Sequence, residues 1–299
     1  MHQARNQGTT LIRESGFAPG RGDGVAEFET AQSTPVLVRR IVFVPLITYL
    51  ILVVVAETVA AFGEEPVGLY LGMGIHVVLL FTLLLHASML SGTDVGLSRF
   101  LVTFTLVPLI RILSLGLPFA PFDILEWLLL ISIPLLAAAV TLMYAMKLRP
   151  RDAYLRRVGV RQVPIQAAVA LSGLALGAAE FFILDPADAP WIPVLTLALF
   201  LPGAIAIGIG AGLTEELIFR GLLQPRTQEI VGKLAALFFV ALVFAAMHIG
   251  FKNGYDLAFV FGVGLYFGYV VLRTENLAGV ILAHGLANVA LYLLMPFYF

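Results

Sequence analysis

The sequence predicts an all-α, polytopic membrane protein with about eight or nine transmembrane helices, and three observations carry that prediction. Of the 299 residues, 60% are hydrophobic and only 12% are Asp, Glu, Lys or Arg, roughly half the charged fraction of an ordinary soluble domain. Mean hydropathy is +0.97, too high for a globule that must cover itself with polar side chains. Soluble enzymes and disordered regulators are thereby excluded. The apolar residues also fall in long continuous runs. A membrane barrel would instead show alternating segments of about ten residues.

Residues 1–35 differ from the rest. They hold Arg5, Arg13, Glu14, Arg21, Asp23, Glu27 and Glu29 among Gly, Thr, Gln and Ser, and are expected to form a flexible cytoplasmic arm. The first apolar run begins only at Val36 and is too long for the core of a cleaved signal peptide, so it is expected to serve as an uncleaved anchor. Four runs, at 36–62, 67–90, 100–117 and 124–146, make an N-terminal four-span region over 36–146. A polar stretch over 147–163 follows. Five more runs, at 164–184, 191–223, 234–249, 255–272 and 277–295, make up most of a C-terminal core over 157–295. The run at 191–223 is too long for one straight span. Pro202 and Gly203, or Gly208, Gly210 and Gly212, are expected to break or tilt it. No internal repeat is visible.

Positive charge orients the runs. Arg39, Arg40, Arg99, Lys147, Arg149, Arg151, Arg156, Arg157, Arg161, Arg220, Arg226, Lys233 and Arg273 fall on one side of a nine-crossing chain. Glu64, Glu65, Asp123, Asp185, Asp188 and Asp256 fall on the other, with Lys252 the exception. The N-terminus is therefore expected in the cytoplasm and the C-terminus on the far side, where Trp127 and Trp191 would join an aromatic belt. The net charge of −1 offers no basic excess for nucleic acid. The absence of Cys excludes disulfides, thiol nucleophiles and Cys-ligated metals. The partner implied is the lipid bilayer.

Ionisable residues inside apolar spans are costly and are functional candidates by default. The densest group is Thr214-Glu215-Glu216-Leu217-Ile218-Phe219-Arg220-Gly221. On a helix Glu216 and Arg220 share a face and can pair. Glu215, rotated by about 100°, looks elsewhere. The bland reading is a helix end whose carboxylates reach the headgroups. His248 follows Phe244-Ala245-Ala246-Met247, and His284 and Asn288 are four apart on one further helix. Each alone reads as a packing residue or interhelical bond. Together they supply a carboxylate base, imidazoles and an amide donor, which places the candidate catalytic helices in the C-terminal half. Glu215 and His284 come out roughly level in depth and His248 deeper by about 10 Å.

Glu57, His76, His86, Arg111, Glu126 and Glu180 are scattered singly. They read mostly as interface, kink or interhelical residues, with Glu180 the one best placed to line a cavity. Gly208-x3-Gly212 and Gly264-x3-Gly268 have the spacing that lets membrane helices approach closely.

These residues resemble the CPBP intramembrane protease family, which includes the type-II CAAX prenyl endopeptidases and the Abi-type proteins. The family's Glu-Glu-x3-Arg, Phe-x3-His and His-x3-Asn motifs appear here in order as Glu215-Glu216-x3-Arg220, Phe244-x3-His248 and His284-x3-Asn288. Arg157-Val158-Gly159-Val160-Arg161 is similar to a short element that precedes the family core. The resemblance covers about residues 157–295. It implies an intramembrane endopeptidase acting on a membrane-associated peptide or protein, in a multi-pass protein of a prokaryotic plasma membrane. Glu215 would activate the attacking water and His248 would help to hold it. His284 and Asn288 would stabilise the oxyanion, with Glu216 and Arg220 in support. The family is often described as metalloprotease. Zinc, if bound, would fall to Glu215, His248 and His284. The His-Glu-x2-His pair of many zinc enzymes is missing, however, which favours a site without a tightly bound metal. Two other classes compete: a transporter or proton relay built on buried Glu and His, and a non-catalytic membrane scaffold or immunity protein.

Overall fold

A computed structural model describes residues 36–117, 122–185 and 190–299, with side chains from residue 43 onward; the arm expected over residues 1–35 lies outside the described residues. The fold is helical, and no strand occurs among the described residues. Nine helical stretches among them are long and apolar enough to cross a membrane.

Helices α1 (Val36–Phe62) and α2 (Val67–Leu90) form an antiparallel pair. The next crossing is made of two pieces, α3 (Val95–Phe104) and α4 (Leu106–Gly116). It starts before the apolar run, because the Asp94 side chain caps the helix by accepting from Leu97 N at 2.9 Å. The joint falls at Thr105, whose hydroxyl donates back to the Val102 carbonyl at 2.6 Å. Pro108 is four residues past Phe104 and has no N–H to offer its carbonyl. Helix α5 (Ile124–Ala145) opens with a capping box between Asp123 and Glu126. That accounts for Glu126 as a helix-end residue. Helix α6 (Val163–Leu184) follows the polar connection.

The long sixth run is not broken as expected. It is one continuous helical rod over Leu197–Val231, beginning only after Trp191 and extending past the apolar run. Within it α7 (Leu197–Ile207) passes into a π-helical segment (Gly208–Leu213), then α8 (Thr214–Glu216), a second π segment (Leu217–Leu223) and α9 (Gln224–Val231). The first π segment falls on Gly208, Gly210 and Gly212, so these glycines coincide with a local departure from α-helical geometry rather than with a break. The first is closed by the Thr214 hydroxyl, which donates to the Ile209 carbonyl at 2.7 Å. The rod continues through Gln224 because that side chain is buried and donates to the Gly268 carbonyl at 3.1 Å. It ends at Gly232, with φ of 86°, a conformation that glycine adopts at little cost.

Helices α10 (Lys233–Ala246), α11 (Gly254–Thr274) and α12 (Ala278–Val289) complete the bundle, and α12 ends in a further π segment (Ala290–Leu294). In lipid the association of helices rests on close packing rather than on removing apolar surface from water. The tightest crossing here is α6 on α12. There Gly173 and Gly177 lie directly against the Ala283 and Ala287 backbone, with no room for a side chain. Of the two glycine pairs singled out in the sequence, Gly212 meets the α12 backbone, Gly264 meets Ala241 of α10 and Gly268 meets Gln224, while Gly208 lies with its backbone near Gly285 of α12 and only a Cβ added to it would point into open space. The spans before and after the polar connection share one apolar core: Phe100 and Phe104 of α3 pack on Phe239 of α10 at ring separations of 5.8 and 6.0 Å.

Candidate active site

The two glutamates stand in α8, between the two π segments, and they part company at once. Glu216 is fully buried, while about a third of the Glu215 side chain is open to a cavity. Glu216 Oε1 accepts from Arg220 Nη1 at 2.8 Å and from His284 Nδ1 at 2.8 Å. The buried Arg220 guanidinium also lies 4.2 Å from the centre of the Phe244 ring, which places its charge over an aromatic face. Three motif residues, from α8, the π segment after it and α12, are thus tied through one oxygen. Pairing of Glu216 with Arg220 follows the sequence reading. The bond to His284 adds a second duty, because it sets the orientation of that ring.

His284 turns its other nitrogen, Nε2, toward Glu215, 4.0 Å from Oε2. Asn288 lies one helical turn further along α12 and faces the same cavity. Its side chain makes no hydrogen bond among the described residues. The position of both residues follows from the α6–α12 crossing, since Ala283 and Ala287, each one residue before, rest on Gly173 and Gly177.

His248 lies two residues beyond α10, where the chain leaves the helix for a 3-10 turn (Ile249–Phe251). Its Nδ1–H donates to the Phe244 carbonyl at 3.0 Å. A carbonyl only accepts, so Nδ1 carries the proton. In the neutral ring, Nε2 is then a free acceptor. Phe244 separates the two imidazoles, with ring separations of 5.1 Å to His248 and 5.9 Å to His284.

Glu215, His248, His284 and Asn288 all line one largely apolar cavity of about 460 Å³, a size suited to a peptide segment or a small ligand. The difference in depth expected for His248 does not keep it out. Trp127, Trp191 and Tyr292 line the same cavity, the last two stacked 3.9 Å apart. Glu180 of α6 lines it as well. Among the described residues no three His, Asp or Glu side chains converge as a metal-ligand set. Glu215, His248 and His284 therefore do not fit zinc as placed.

The sequence reading set Glu57, His76 and Arg111 apart as single residues. In the structure they meet. Arg111 donates through Nε to Glu57 Oε1 at 2.6 Å and through Nη2 to the other carboxylate oxygen. His76 Nε2 stands 3.1 Å from Glu57 Oε1. Arg111 also lines the cavity. The available signal was charge balance: a Glu, an Arg and a His at apolar depth must find one another or water. His86, by contrast, makes the interhelical bond expected of it, to the Tyr49 hydroxyl at 2.8 Å.

Residues 197–290 match the family model described as Rce1-like, type II CAAX prenyl endopeptidase Rce1-like. No curated protein and no solved structure matches the chain. The matched segment is less than half of the chain. It starts with α7, holds Glu215, Glu216, Arg220, His248, His284 and Asn288, and leaves out the first four spans and α6. Over residues 197–290, therefore, this multi-pass membrane protein is similar to the Rce1-like type II CAAX prenyl endopeptidases, in agreement with the resemblance drawn from its motifs.

Proposed function

We propose that the protein is an intramembrane endopeptidase that hydrolyses peptide bonds of membrane-associated substrates with a water activated by Glu215. A CAAX-type, protease-like role is what the Rce1-like match supports. The observation that carries the finer reading is the division of labour between adjacent carboxylates. Glu216 is spent on Arg220 and His284, whereas Glu215 makes no hydrogen bond among the described residues and faces the cavity.

In this reading Glu215 takes a proton from water as the oxygen attacks the scissile carbonyl carbon. His248, with Nδ1–H held by the Phe244 carbonyl, offers Nε2 as acceptor for the second water hydrogen. The tetrahedral oxyanion is met by the Asn288 amide and by Nε2–H of His284 in its imidazolium form, the ring being oriented by the bond from Nδ1–H to Glu216. Glu215 then passes its proton to the leaving nitrogen, the C–N bond breaks, and a carboxylic acid and an amine leave. The apolar wall keeps bulk water away, which strengthens each of these interactions. The orientation proposed from the Arg and Lys pattern places the loops before α5 and before α7 on the non-cytoplasmic side.

The test is cleavage by the purified protein in lipid nanodiscs of membrane-spanning and lipidated peptides, prenylated and unprenylated, in water labelled at oxygen. The expected result is a new amino terminus, one labelled oxygen in the new carboxylate, and loss of both in Glu215→Gln. If no peptide is cut, while Glu215→Gln changes proton or ion flux in liposomes, the transporter reading replaces this one.

A further inference from the structure

The Glu57–His76–Arg111 cluster lies outside the Rce1-like segment and is built by three of the first helices, α1, α2 and α4. Glu57 and His76 are buried, at 2% and 0% exposure. Arg111 uses both edges that face Glu57, through Nε and Nη2, so its guanidinium plane is held in one orientation. The same Nη2 donates to the Met247 carbonyl. Met247 caps the C-terminus of α10 and directly precedes His248. The last carbonyls of a helix lack intrahelical partners and must find donors elsewhere. Arg111 is such a donor, reaching across from another helix to the residue that ends α10, directly before His248 and the 3-10 turn over Ile249–Phe251.

Two readings of an arginine in a cavity wall compete. It can bind an anionic part of the substrate, or it can hold protein in place. The bidentate carboxylate decides between them. Glu57 offsets the charge of Arg111, so an incoming anion meets a neutral pair, while the fork geometry remains intact as a support. We infer that Arg111, held in plane by Glu57, is a positioning residue for His248: it fixes the backbone at the end of α10 so that the imidazole faces the water site beside Glu215. The inference rests on the hydrolytic reading of the cavity. It also gives the N-terminal spans a task in catalysis, as the fixed frame against which the end of α10 is set.

The experiment compares the full-length protein with Arg111→Ala and Arg111→Lys in nanodiscs, by two measurements. The first is hydrogen–deuterium exchange, which needs no turnover. Amides of the segment from Phe244 to Lys252 should exchange at least about tenfold faster in Arg111→Ala, with α6 and α12 unchanged. Arg111→Lys keeps a cation beside Glu57 but loses the fork, and should fall between the two. The second is kinetics: kcat should drop by roughly 10²-fold, as for a misplaced catalytic group, with KM within about twofold. Adding Arg111→Ala to His248→Ala should cost nothing further, because the two act through one ring.

Unchanged exchange around Met247 overturns the inference. So does a rise in KM at constant kcat confined to substrates with a free carboxylate, which would make Arg111 an anion contact. A uniform rise in exchange over the whole bundle also overturns it, by reducing Arg111 to a fold residue. If Arg111→Ala does not fold, the same outcomes are read from Arg111→Lys. If the parent protein cleaves nothing, local exchange still decides the clamp, and only the hydrolytic reading falls.

Discussion

His284 Nδ1 and Glu216 Oε1 are 2.8 Å apart, and the same oxygen holds Arg220 at 2.8 Å. One carboxylate therefore neutralises a buried cation and orients an imidazole. Removing it damages two things at once. Glu216→Ala leaves Arg220 buried with no counter-charge, at a cost of about 3–5 kcal/mol, and frees His284 to rotate. The expected outcome is a marked fall in melting temperature and in folded yield, with the folded remainder nearly inactive. Glu216→Gln keeps an acceptor oxygen and should lose less stability. A Glu216→Ala variant that melts normally and retains turnover would show that neither bond matters.

Glu215 should behave in the opposite way. Its carboxylate makes no hydrogen bond among the described residues, and its nearest charged partner is His284 Nε2 at 4.0 Å. An isosteric amide breaks nothing in the fold. Glu215→Gln should melt within a few degrees of the parent, yet lose roughly 10²–10⁴-fold in kcat, the range for a lost general base. His248→Ala should give a similar kinetic loss, because the acceptor for the water goes with the ring. Turnover and melting temperature measured on the same preparations test both. If Glu215→Gln turns over at the parental rate, the general base lies elsewhere.

Asn288 separates stabilisation of the oxyanion from water activation. Its amide faces the cavity and is not engaged by the described residues. Asn288→Ala should leave stability unchanged and lower kcat by roughly 10²–10³-fold, as for one oxyanion donor. Asn288→Asp replaces the donor by an acceptor and should be worse than Ala. An Asp variant more active than the Ala variant would remove Asn288 from the oxyanion role.

The parts of this site that were legible in the sequence share one property: their partners lie close along the chain. Glu216 with Arg220, and His284 with Asn288, are four residues apart, so helical periodicity alone puts each pair on a face. The nine apolar runs were legible because a bilayer demands long uninterrupted stretches. What was hidden depends on contacts between distant segments. The π segments around Glu215 and Glu216 have no spacing signature. The first falls on Gly208, Gly210 and Gly212, which in the sequence alone are equally compatible with a break or a tilt. Glu57, His76 and Arg111 sit on three separate helices with no common period, and only their meeting reveals a function. The role of Gly173 and Gly177 likewise depends on a distant segment, because it lies in the crossing of α12 over α6.

That crossing yields the last prediction. The Gly173 and Gly177 backbone touches Ala283 and Ala287, the residues just before His284 and Asn288. A methyl group at either glycine would run into a carbonyl oxygen of α12, which is backbone and cannot swing aside as a side chain would. The helices must separate, typically at about 1–3 kcal/mol for an overpacked contact. The shift carries His284 and Asn288 away from Glu215 together. Gly177→Ala should therefore lower kcat by 10-fold or more while the protein remains folded, since displacements of about 1 Å suffice for such losses. Gly208 has no neighbour within 4 Å of an added Cβ, so Gly208→Ala is the control. It swaps the same residue types in the same membrane and should be no less stable than the parent. Equal activity in Gly177→Ala and Gly208→Ala would show that the close approach of α6 to α12 does not set the geometry of the site. A loss confined to Gly177→Ala, with melting temperature lowered by only a few degrees, would tie the spacing of two helix backbones directly to the rate.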